Sequence, residues 1–165
     1  ILYPTRIIGI KEASKLKIST KGRYGLRAAI DVAIFGGQQA VPISEIAERQ
    51  QLSESYLEQL MAKLRKADIV KSVRGAQGGY VLAKSPSEIS VGDILRSLEG
   101  DLRPVDCLAI KEDNKCQNGE MCVTKFVWEK INESINDTVD GITLQDILDQ
   151  NLKKKADEPI CDCGL

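Results

Sequence analysis

The sequence has no histidine, no long apolar run and almost no net charge, which is −1 over 165 residues. Without histidine it lacks the side chain that most often moves protons in active sites. It also has no nucleophile motif. The glycines of RGAQGG lie between two strand-like runs rather than before a helix, so they do not form a nucleotide loop. These absences argue against an enzyme.

Segments for membrane insertion or secretion are missing as well. The longest nearly apolar stretch, LRAAIDVAIFGG, is too short and too charged to span a bilayer. No apolar segment with a small-residue cleavage site opens the sequence. With 42% hydrophobic and 28% charged residues, the chain is expected to form a globular cytoplasmic protein with one core and no membrane partner.

Charge is distributed unevenly along the chain. Residues 16–84 contain eleven Lys or Arg and six Asp or Glu, a net of +5. Residues 85–165 contain nine Lys or Arg and seventeen Asp or Glu, a net of −8. A basic N-terminal half is typical of a part that meets phosphates, and an uneven solvated surface is the alternative interpretation.

The basic half contains three helix patterns in a row. The first has apolar residues at helical spacing and ends at the Gly36-Gly37 pair. Its expected apolar face contains Leu26, Ala29, Ile30, Ala33 and Ile34. The second begins near Pro42, and the third begins after Ser53, an N-cap residue. Two helices separated by about four residues predict a helix-turn-helix. The buried stripe of its second helix is predicted to contain Leu57, Leu60, Met61 and Leu64.

A hairpin pattern follows directly. In IVKSVRGAQGGYVLA, two short runs rich in Val, Ile and Tyr flank a loop with three glycines and Arg74. A helix-turn-helix followed by a glycine-rich basic hairpin predicts a winged helix, in which the second helix enters the major groove and the hairpin tip reaches the adjacent backbone or minor groove. The predicted fold class is therefore mainly α with a small β-hairpin wing.

The acidic half contains further helix patterns. SVGDILRSLEG has Ser90 and Asp93 at the positions of a capping box, and Thr143 and Asp146 open a last short helix. Between them lies a long helix with a single apolar seam. Because no other long helix pattern offers a matching surface, this seam is expected to pack against the same helix of a second subunit in a two-fold homodimer. The seam contains Val127, Ile131, Ile135, Thr138 and Ile142.

Three of the five cysteines, Cys107, Cys116 and Cys122, lie on one polar segment, CLAIKEDNKCQNGEMC. In a reducing compartment, such a cluster indicates metal binding or redox sensing before disulfides. Thiolates are the soft ligands that iron–sulfur clusters need, and a loop can supply them at irregular spacing. Zinc, which prefers cysteines roughly two to four residues apart, is the second interpretation. Three unligated cysteines are the third.

Read together, LKISTKGRYGLRAA, LSESYLEQLMAKLRKADIVKSVRGAQGGYVLA and ISVGDILRSLEG resemble the Rrf2 family of bacterial winged-helix regulators across nearly everything after residue 15. The resemblance implies a dimer that binds double-stranded operator DNA and regulates transcription. Family members usually begin at the position of Leu16, so residues 1–15 are either upstream sequence or a genuine N-terminal arm.

The resemblance also implies a role for the cysteines. IscR-type members of the family have three cysteines between the helix after the wing and the dimerisation helix, which is where Cys107, Cys116 and Cys122 lie. This implies a 2Fe–2S cluster held by three thiolates in a sensor of iron–sulfur status that controls cluster-biogenesis genes. The iron–sulfur assembly machinery would then be a further partner.

The fourth cluster ligand is open, because the sequence departs from the family pattern. IscR-type proteins have a histidine three residues after the last cysteine, where this chain has Lys125. NsrR-type proteins use an acid near the start of the first helix, and Arg23 stands there instead. An incompletely ligated cluster would be labile, which suits a sensor. The candidates for the fourth ligand are Glu120, a residue of the partner subunit, a small exogenous thiol, and Cys161 and Cys163.

On the second helix of the helix-turn-helix, Ser55, Tyr56, Glu58 and Gln59 match the family's DNA-facing positions. Gln59 can pair with adenine and Glu58 can accept a hydrogen bond from cytosine N4. In IscR-type relatives the matching glutamate rejects one class of operator in the cluster-free form, and an ordinary exposed glutamate is the alternative. By charge and resemblance, the expected phosphate or minor-groove contacts are Lys17, Thr20, Arg23, Tyr24 and Arg74.

A second function class is a CymR-like repressor of sulfur and cysteine metabolism, controlled by a protein partner on the C-terminal half. CymR-type members lack the three cysteines, which favours the cluster sensor. The expected organisation, in chain order, is an N-terminal extension (1–15), a winged helix-turn-helix domain (16–84), a connecting helix (85–106), a cysteine loop (107–123), the dimerisation helix with a short terminal helix (124–152) and a flexible tail (153–165).

Overall fold

The computed structural model describes residues 18–37, 39–75, 77–105 and 122–157. Within these ranges the chain is mainly helical with one two-stranded antiparallel hairpin, so the predicted fold class is confirmed. None of the helices described there is long and apolar enough to cross a membrane. The elements are α1 (Thr20–Phe35), α2 (Ile43–Gln50), α3 (Glu54–Lys66), β1 (Val70–Val73), β2 (Gly79–Leu82), a 3-10 turn (Pro86–Glu88), α4 (Val91–Glu99), α5 (Lys125–Asp140) and α6 (Leu144–Asp157).

Side-chain caps stand at the starts of α3, α4 and α6. The Ser53 hydroxyl accepts a hydrogen bond from the Tyr56 backbone N–H at 3.4 Å at the start of α3. At α4, Ser90 and Asp93 form a reciprocal capping box with distances of 3.0 and 3.2 Å. Thr143 and Asp146 make the same exchange before α6. Each pair satisfies backbone N–H groups that have no partner inside the helix.

One hydrophobic core lies between α1, α2, α3, α4 and the hairpin, and Leu144 of α6 closes it. The predicted stripe of α3 is buried. On α1 the buried face differs from the expected pattern, because Ala28, Ala29 and Val32 lie innermost. The two helices approach closely at Gly25, where a Cβ would lie 2.3 Å from the Leu98 side chain of α4. Close approach of α4 therefore determines which face of α1 is buried.

The wing is hydrogen-bonded to the helix-turn-helix. Val41, just before α2, and Tyr80 of β2 exchange both backbone hydrogen bonds at 2.9 Å. A Cβ at Gly79 would lie 2.2 Å from the Val41 carbonyl oxygen, so only glycine fits where these backbones meet. An isolated β-bridge consequently attaches the hairpin to the residue that precedes the N-cap of α2.

A partly buried ion pair joins α1 to α2. Asp31 is 3% exposed, and its carboxylate accepts hydrogen bonds from Arg49 Nε at 3.1 Å, from Arg49 Nη2 at 2.8 Å and from Gln50 Nε2 at 2.8 Å. The hydrogen bond with Asp31 raises the pKa of Arg49. The Arg49 guanidinium also lies 4.2 Å from the centre of the Phe35 ring.

Replacing Asp31 with alanine is expected to lower the free energy of unfolding by about 2–4 kcal/mol, because the donors of Arg49 and Gln50 lose a buried charged acceptor. Glu45→Ala is the matched control. Glu45 bonds to the same arginine, but its side chain is 55% exposed, so a loss of at most ~0.5 kcal/mol is expected. Urea unfolding with an unchanged slope measures both values. Equal losses in the two variants would contradict this assignment.

No residue of α5 is buried in the single chain. The helix lies against α4 through Arg96, which donates to Asn136 Oδ1 at 3.1 Å and forms an ion pair with Asp140. The predicted seam is wrong at Ile142, because α5 ends at Asp140 with Gly141 as its C-cap. Beyond that cap the chain turns to pair with the start of α4, and the Ile142 carbonyl accepts a hydrogen bond from the Val91 N–H at 2.8 Å.

The last helix is longer than the sequence pattern suggested. α6 extends to Asp157, five residues beyond the predicted end at residue 152. Lysines and alanine in this stretch are good helix formers, and lysines near the C-terminus of a helix interact favourably with its dipole. The rest of the predicted tail, residues 158–165, lies outside the described residues.

Candidate nucleic-acid interface

The outer face of α3 presents the predicted base-reading residues to solvent. Ser55, Glu58 and Gln59 are exposed, on the side opposite the buried leucines of the same helix. Carboxylate, amide and hydroxyl groups are the side chains that discriminate base edges in the major groove. Since the core holds the opposite side of this helix, its exposed face is available for a groove.

Tyr24 and Tyr56 meet where α1 passes the start of α3. Their ring centres are 6.4 Å apart and the rings are perpendicular, an edge-to-face pair. Both side chains are half-buried, so each packs the two helices together and keeps only part of its surface for a ligand. The guanidinium groups of Arg23 and Arg27 lie 6.0 and 5.6 Å from the centre of the Tyr24 ring. The pair therefore sets cationic groups beside the recognition helix.

The first turn of α1 and the wing provide the other predicted contacts. Thr20 and Arg23 are exposed on α1, and Arg74 is exposed directly after β1. Gly75, which follows Arg74, has a φ of +119° that other residues rarely adopt, and this turns the chain at the wing tip. Lys17 lies outside the described residues. Thr20 and Arg23 lie on α1 and Arg74 follows β1, and both elements pack against α3. Phosphate contacts fix the register and orientation of a base-reading element on the duplex.

Sequence patterns gave no signal for the groups that hold these elements in place. One Glu99 oxygen of α4 accepts hydrogen bonds from the Ser19 N–H, the Ser19 hydroxyl and the Gly22 N–H. The Lys63 ammonium of α3 donates to the Leu98 carbonyl of α4 at 3.1 Å. Partners 35 to 80 residues apart leave no periodic pattern in a sequence.

Of the predicted metal ligands, Cys122 lies within the described residues, and Cys107 and Cys116 lie outside them. Within the described ranges, no three acidic or cysteine side chains converge on one point. Cys122 is half-exposed just before α5, and its Sγ lies 3.3 Å from the Thr124 hydroxyl. That hydrogen bond, followed by one from the Thr124 backbone N–H, lowers the pKa of the Cys122 thiol. A thiol with a lowered pKa favours the thiolate, the form that binds metals, so Cys122 fits a soft metal ligand.

The candidates for a fourth ligand are only partly described. Lys125, which stands where IscR-type proteins have histidine, is exposed and lies 3.7 Å from the Glu129 carboxylate. A protonated amine has no lone pair to donate to a metal. Glu120, Cys161 and Cys163 lie outside the described residues.

Comparison with known proteins gives consistent results. Residues 18–150 match the Rrf2 family, described as iron-dependent transcriptional regulators. The chain is 38% identical to the regulator IscR of Aliivibrio salmonicida over 91% of this chain and 88% of the relative. It is 43% identical to the regulator CymR of Bacillus subtilis over 80% of this chain and 89% of the relative. The solved structure of T. potens IscR is 50% identical, with a TM-score of 0.68, and the match covers 87% of this chain and 92% of that one.

These similarities confirm a DNA-binding transcriptional regulator and the expectation that the chain is not an enzyme. Relatives named IscR and a relative named CymR resemble the chain to a similar degree. Overall similarity therefore does not distinguish a cluster sensor from a regulator of the other type. That distinction depends on individual residues.

Proposed function

The chain belongs to the Rrf2 family of transcriptional regulators, and from this premise we propose that it is a homodimeric sensor of iron–sulfur status that controls cluster-biogenesis genes. The observation that supports this most strongly is the set of three cysteines at residues 107, 116 and 122. The last of them stands at the start of α5 with its thiolate favoured by Thr124.

Operator selection is assigned to the exposed face of α3. Gln59 can form bidentate hydrogen bonds with adenine, and Glu58 can accept a hydrogen bond from the N4 amino group of cytosine. Against a base edge that offers only acceptors, or near a phosphate, the Glu58 carboxylate loses hydration without gaining a partner. Glu58 therefore acts as a filter that admits some operators and rejects others. Arg23 and Arg74, both exposed, supply sequence-independent attraction to phosphates.

Dimerisation is assigned to α5. Val127 is 48% exposed and Phe126 is 66% exposed, while Ile131 and Ile135 are half-buried. Val127, Ile131 and Ile135 follow one face of this 16-residue helix, which has no buried residue in the single chain. A second copy of the chain offers the same apolar face, and two-fold pairing buries both. Such a dimer would present two α3 helices to successive major grooves, about 34–36 Å apart.

The proposed cluster is a 2Fe–2S group held by the thiolates of Cys107, Cys116 and Cys122. When bound, it supplies a centre whose occupancy responds to iron supply and to oxidants. The chain's own contribution at Cys122 is the Thr124 hydroxyl and backbone N–H, which stabilise negative charge on the sulfur. Hydrogen bonds to cluster sulfurs also tune reduction potential. The candidates for the fourth ligand are Glu120, a residue of the partner subunit, a small exogenous thiol, and Cys161 and Cys163.

Anaerobic purification tests the sensing half of the proposal. Brown protein with absorption in the region of about 400 nm is expected, with iron and acid-labile sulfide near two per subunit. Duplexes selected from a random library should then differ between the loaded protein and the protein stripped of iron. Colourless protein without iron or sulfide would contradict cluster sensing, and identical selected duplexes would contradict control of operator choice.

A CymR-like repressor of sulfur and cysteine metabolism is the second candidate, and the 43% identity to CymR of Bacillus subtilis favours it. A protein partner would then dock on the C-terminal half, and the cysteines would be incidental. Two results together would support this candidate: the air-free protein contains no iron, and its DNA binding changes when a purified cysteine-biosynthetic enzyme is added. Iron and sulfide in stoichiometric amounts would exclude it in this form.

A further inference from the structure

The last turn of α4, residues 96–99, bonds to three other helices. Glu99 accepts hydrogen bonds from the start of α1. The Leu98 carbonyl accepts one from Lys63 of α3, and Arg96 bonds to Asn136 and Asp140 of α5. One turn of one helix therefore contacts the first turn of α1, the recognition helix and the helix assigned to the dimer interface. Here we call it the α4 terminal turn.

The contact between Glu99 and α1 is the most specific of the three. A single oxygen, Oε1, accepts from the Ser19 N–H at 3.0 Å, the Ser19 hydroxyl at 2.6 Å and the Gly22 N–H at 2.8 Å. A negative charge at a helix N-terminus is favourable, because the first N–H groups have no partner within the helix. Ser19 in turn caps α1 by accepting from the Lys21 N–H at 3.1 Å. Glu99 thus orients the residue that caps the helix.

Glycine is required on the α1 side of this contact. A Cβ at Gly22 would lie 2.4 Å from Glu99 Oε1, closer than nonbonded atoms approach. Gly25, one turn later, admits the Leu98 side chain in the same way. Two glycines three residues apart therefore allow the α4 terminal turn to lie directly against the turn of α1 that contains Thr20 and Arg23.

We propose that Glu99 is a positioning residue for DNA binding, which orients the first turn of α1 so that Thr20 and Arg23 meet the phosphates beside the groove read by α3. The inference rests on the proposed assignment of those residues to DNA contact. Glu99 touches no nucleic acid itself and acts through Ser19 and Gly22. Because Arg96 belongs to the same turn, α1 and α5 are also attached to one rigid element.

Charge alone would give the opposite effect, which makes the inference testable. Removing a carboxylate from a DNA-binding protein strengthens its nonspecific attraction to phosphates. A loss of affinity in Glu99→Gln must therefore come from lost positioning. Glu88→Gln is the matched control, because it makes the same change of charge, and Glu88 also accepts a backbone N–H, that of Ser85 at 3.1 Å, in an exposed 3-10 turn.

The test measures binding to duplexes selected from a random library by the wild-type protein, together with amide hydrogen exchange in α1. Glu99→Gln should weaken binding about tenfold and speed exchange at Ser19 and Gly22, whereas Glu88→Gln should do neither. Gly22→Ala is a second variant, which displaces the Glu99 carboxylate without changing charge and should give the same two effects. Circular dichroism checks that each variant is folded.

The outcomes separate the inference from the proposed function. If the wild-type protein selects duplexes and Glu99→Gln binds them as Glu88→Gln does, positioning by Glu99 is wrong while the proposed function stands. If exchange in the first turn of α1 is unchanged, the inference is likewise overturned. If the wild-type protein selects no duplex at all, the proposed function fails, and the exchange data alone report whether Glu99 orders α1.

Discussion

The double variant Ile131→Glu with Ile135→Glu is expected to be monomeric and to bind operator DNA at least about a hundredfold more weakly than the wild-type protein. Both isoleucines lie on the apolar face of α5, a helix without a buried residue in the single chain. Glutamates there would face each other across the two-fold axis, and each would lose hydration without a partner. Sedimentation velocity measures the mass, and fluorescence anisotropy measures the affinity.

A control with the same change of charge uses the polar face of the same helix. Lys130→Glu also lowers the net charge by two, at an exposed position outside the apolar seam. The bond between Lys130 and Glu133 lies on the surface, so its loss should matter little. This variant should remain dimeric and keep its affinity within about threefold. If the isoleucine variant still sediments as a dimer, the assignment of the interface to α5 is wrong.

Cys122→Ala is expected to remove iron and sulfide almost completely, because a cluster bound by three protein thiolates would retain only two. Air-free protein should lose its brown colour, and it should select the same duplexes as stripped wild-type protein. Cys107→Ala should behave in the same way. Iron and sulfide analysis, with visible absorption of the same samples, provides the measurement.

Val123→Ala is the control for this experiment, because Val123 is the neighbour of Cys122 and is 94% exposed. It should retain full iron and sulfide. If Cys122→Ala holds as much iron per subunit as Val123→Ala, then Cys122 is not a ligand. Cys161→Ala and Cys163→Ala, measured in the same way, separate the tail cysteines from an external thiol as the source of the fourth ligand. Loss of iron would assign the ligand to the tail, and full iron would favour an external thiol.

Local chemistry explains which parts of the fold could be predicted from sequence. Ser53, Ser90 and Thr143 begin helices where expected, because each cap is complete within three residues of chain. The α3 stripe was also predictable, since its four apolar residues recur at helical spacing and all are buried. The wing followed from its glycines and its β-branched residues.

Contacts between distant segments explain what the sequence could not reveal. The buried face of α1 depends on how closely α4 approaches at Gly25. The Asp31 pair requires α2 to lie across α1, and Glu99 meets Ser19 across 80 residues. At the candidate interface, exposure of Glu58 and Gln59 agrees with the α3 periodicity, but the packing of Tyr56 on Tyr24 is a tertiary contact that periodicity does not encode.

The backbone pairing between Val41 and Tyr80 has a consequence for how such regulators can be recombined. A hairpin grafted from a relative between residues 70 and 82 alone would arrive without Val41, the residue with which Tyr80 exchanges backbone hydrogen bonds. Its glycine at position 79 would also face a carbonyl whose position is set by the host. The smallest segment that can be exchanged intact therefore runs from residue 41 to residue 82, and chimaeras cut at its ends should melt at higher temperatures than those cut inside it.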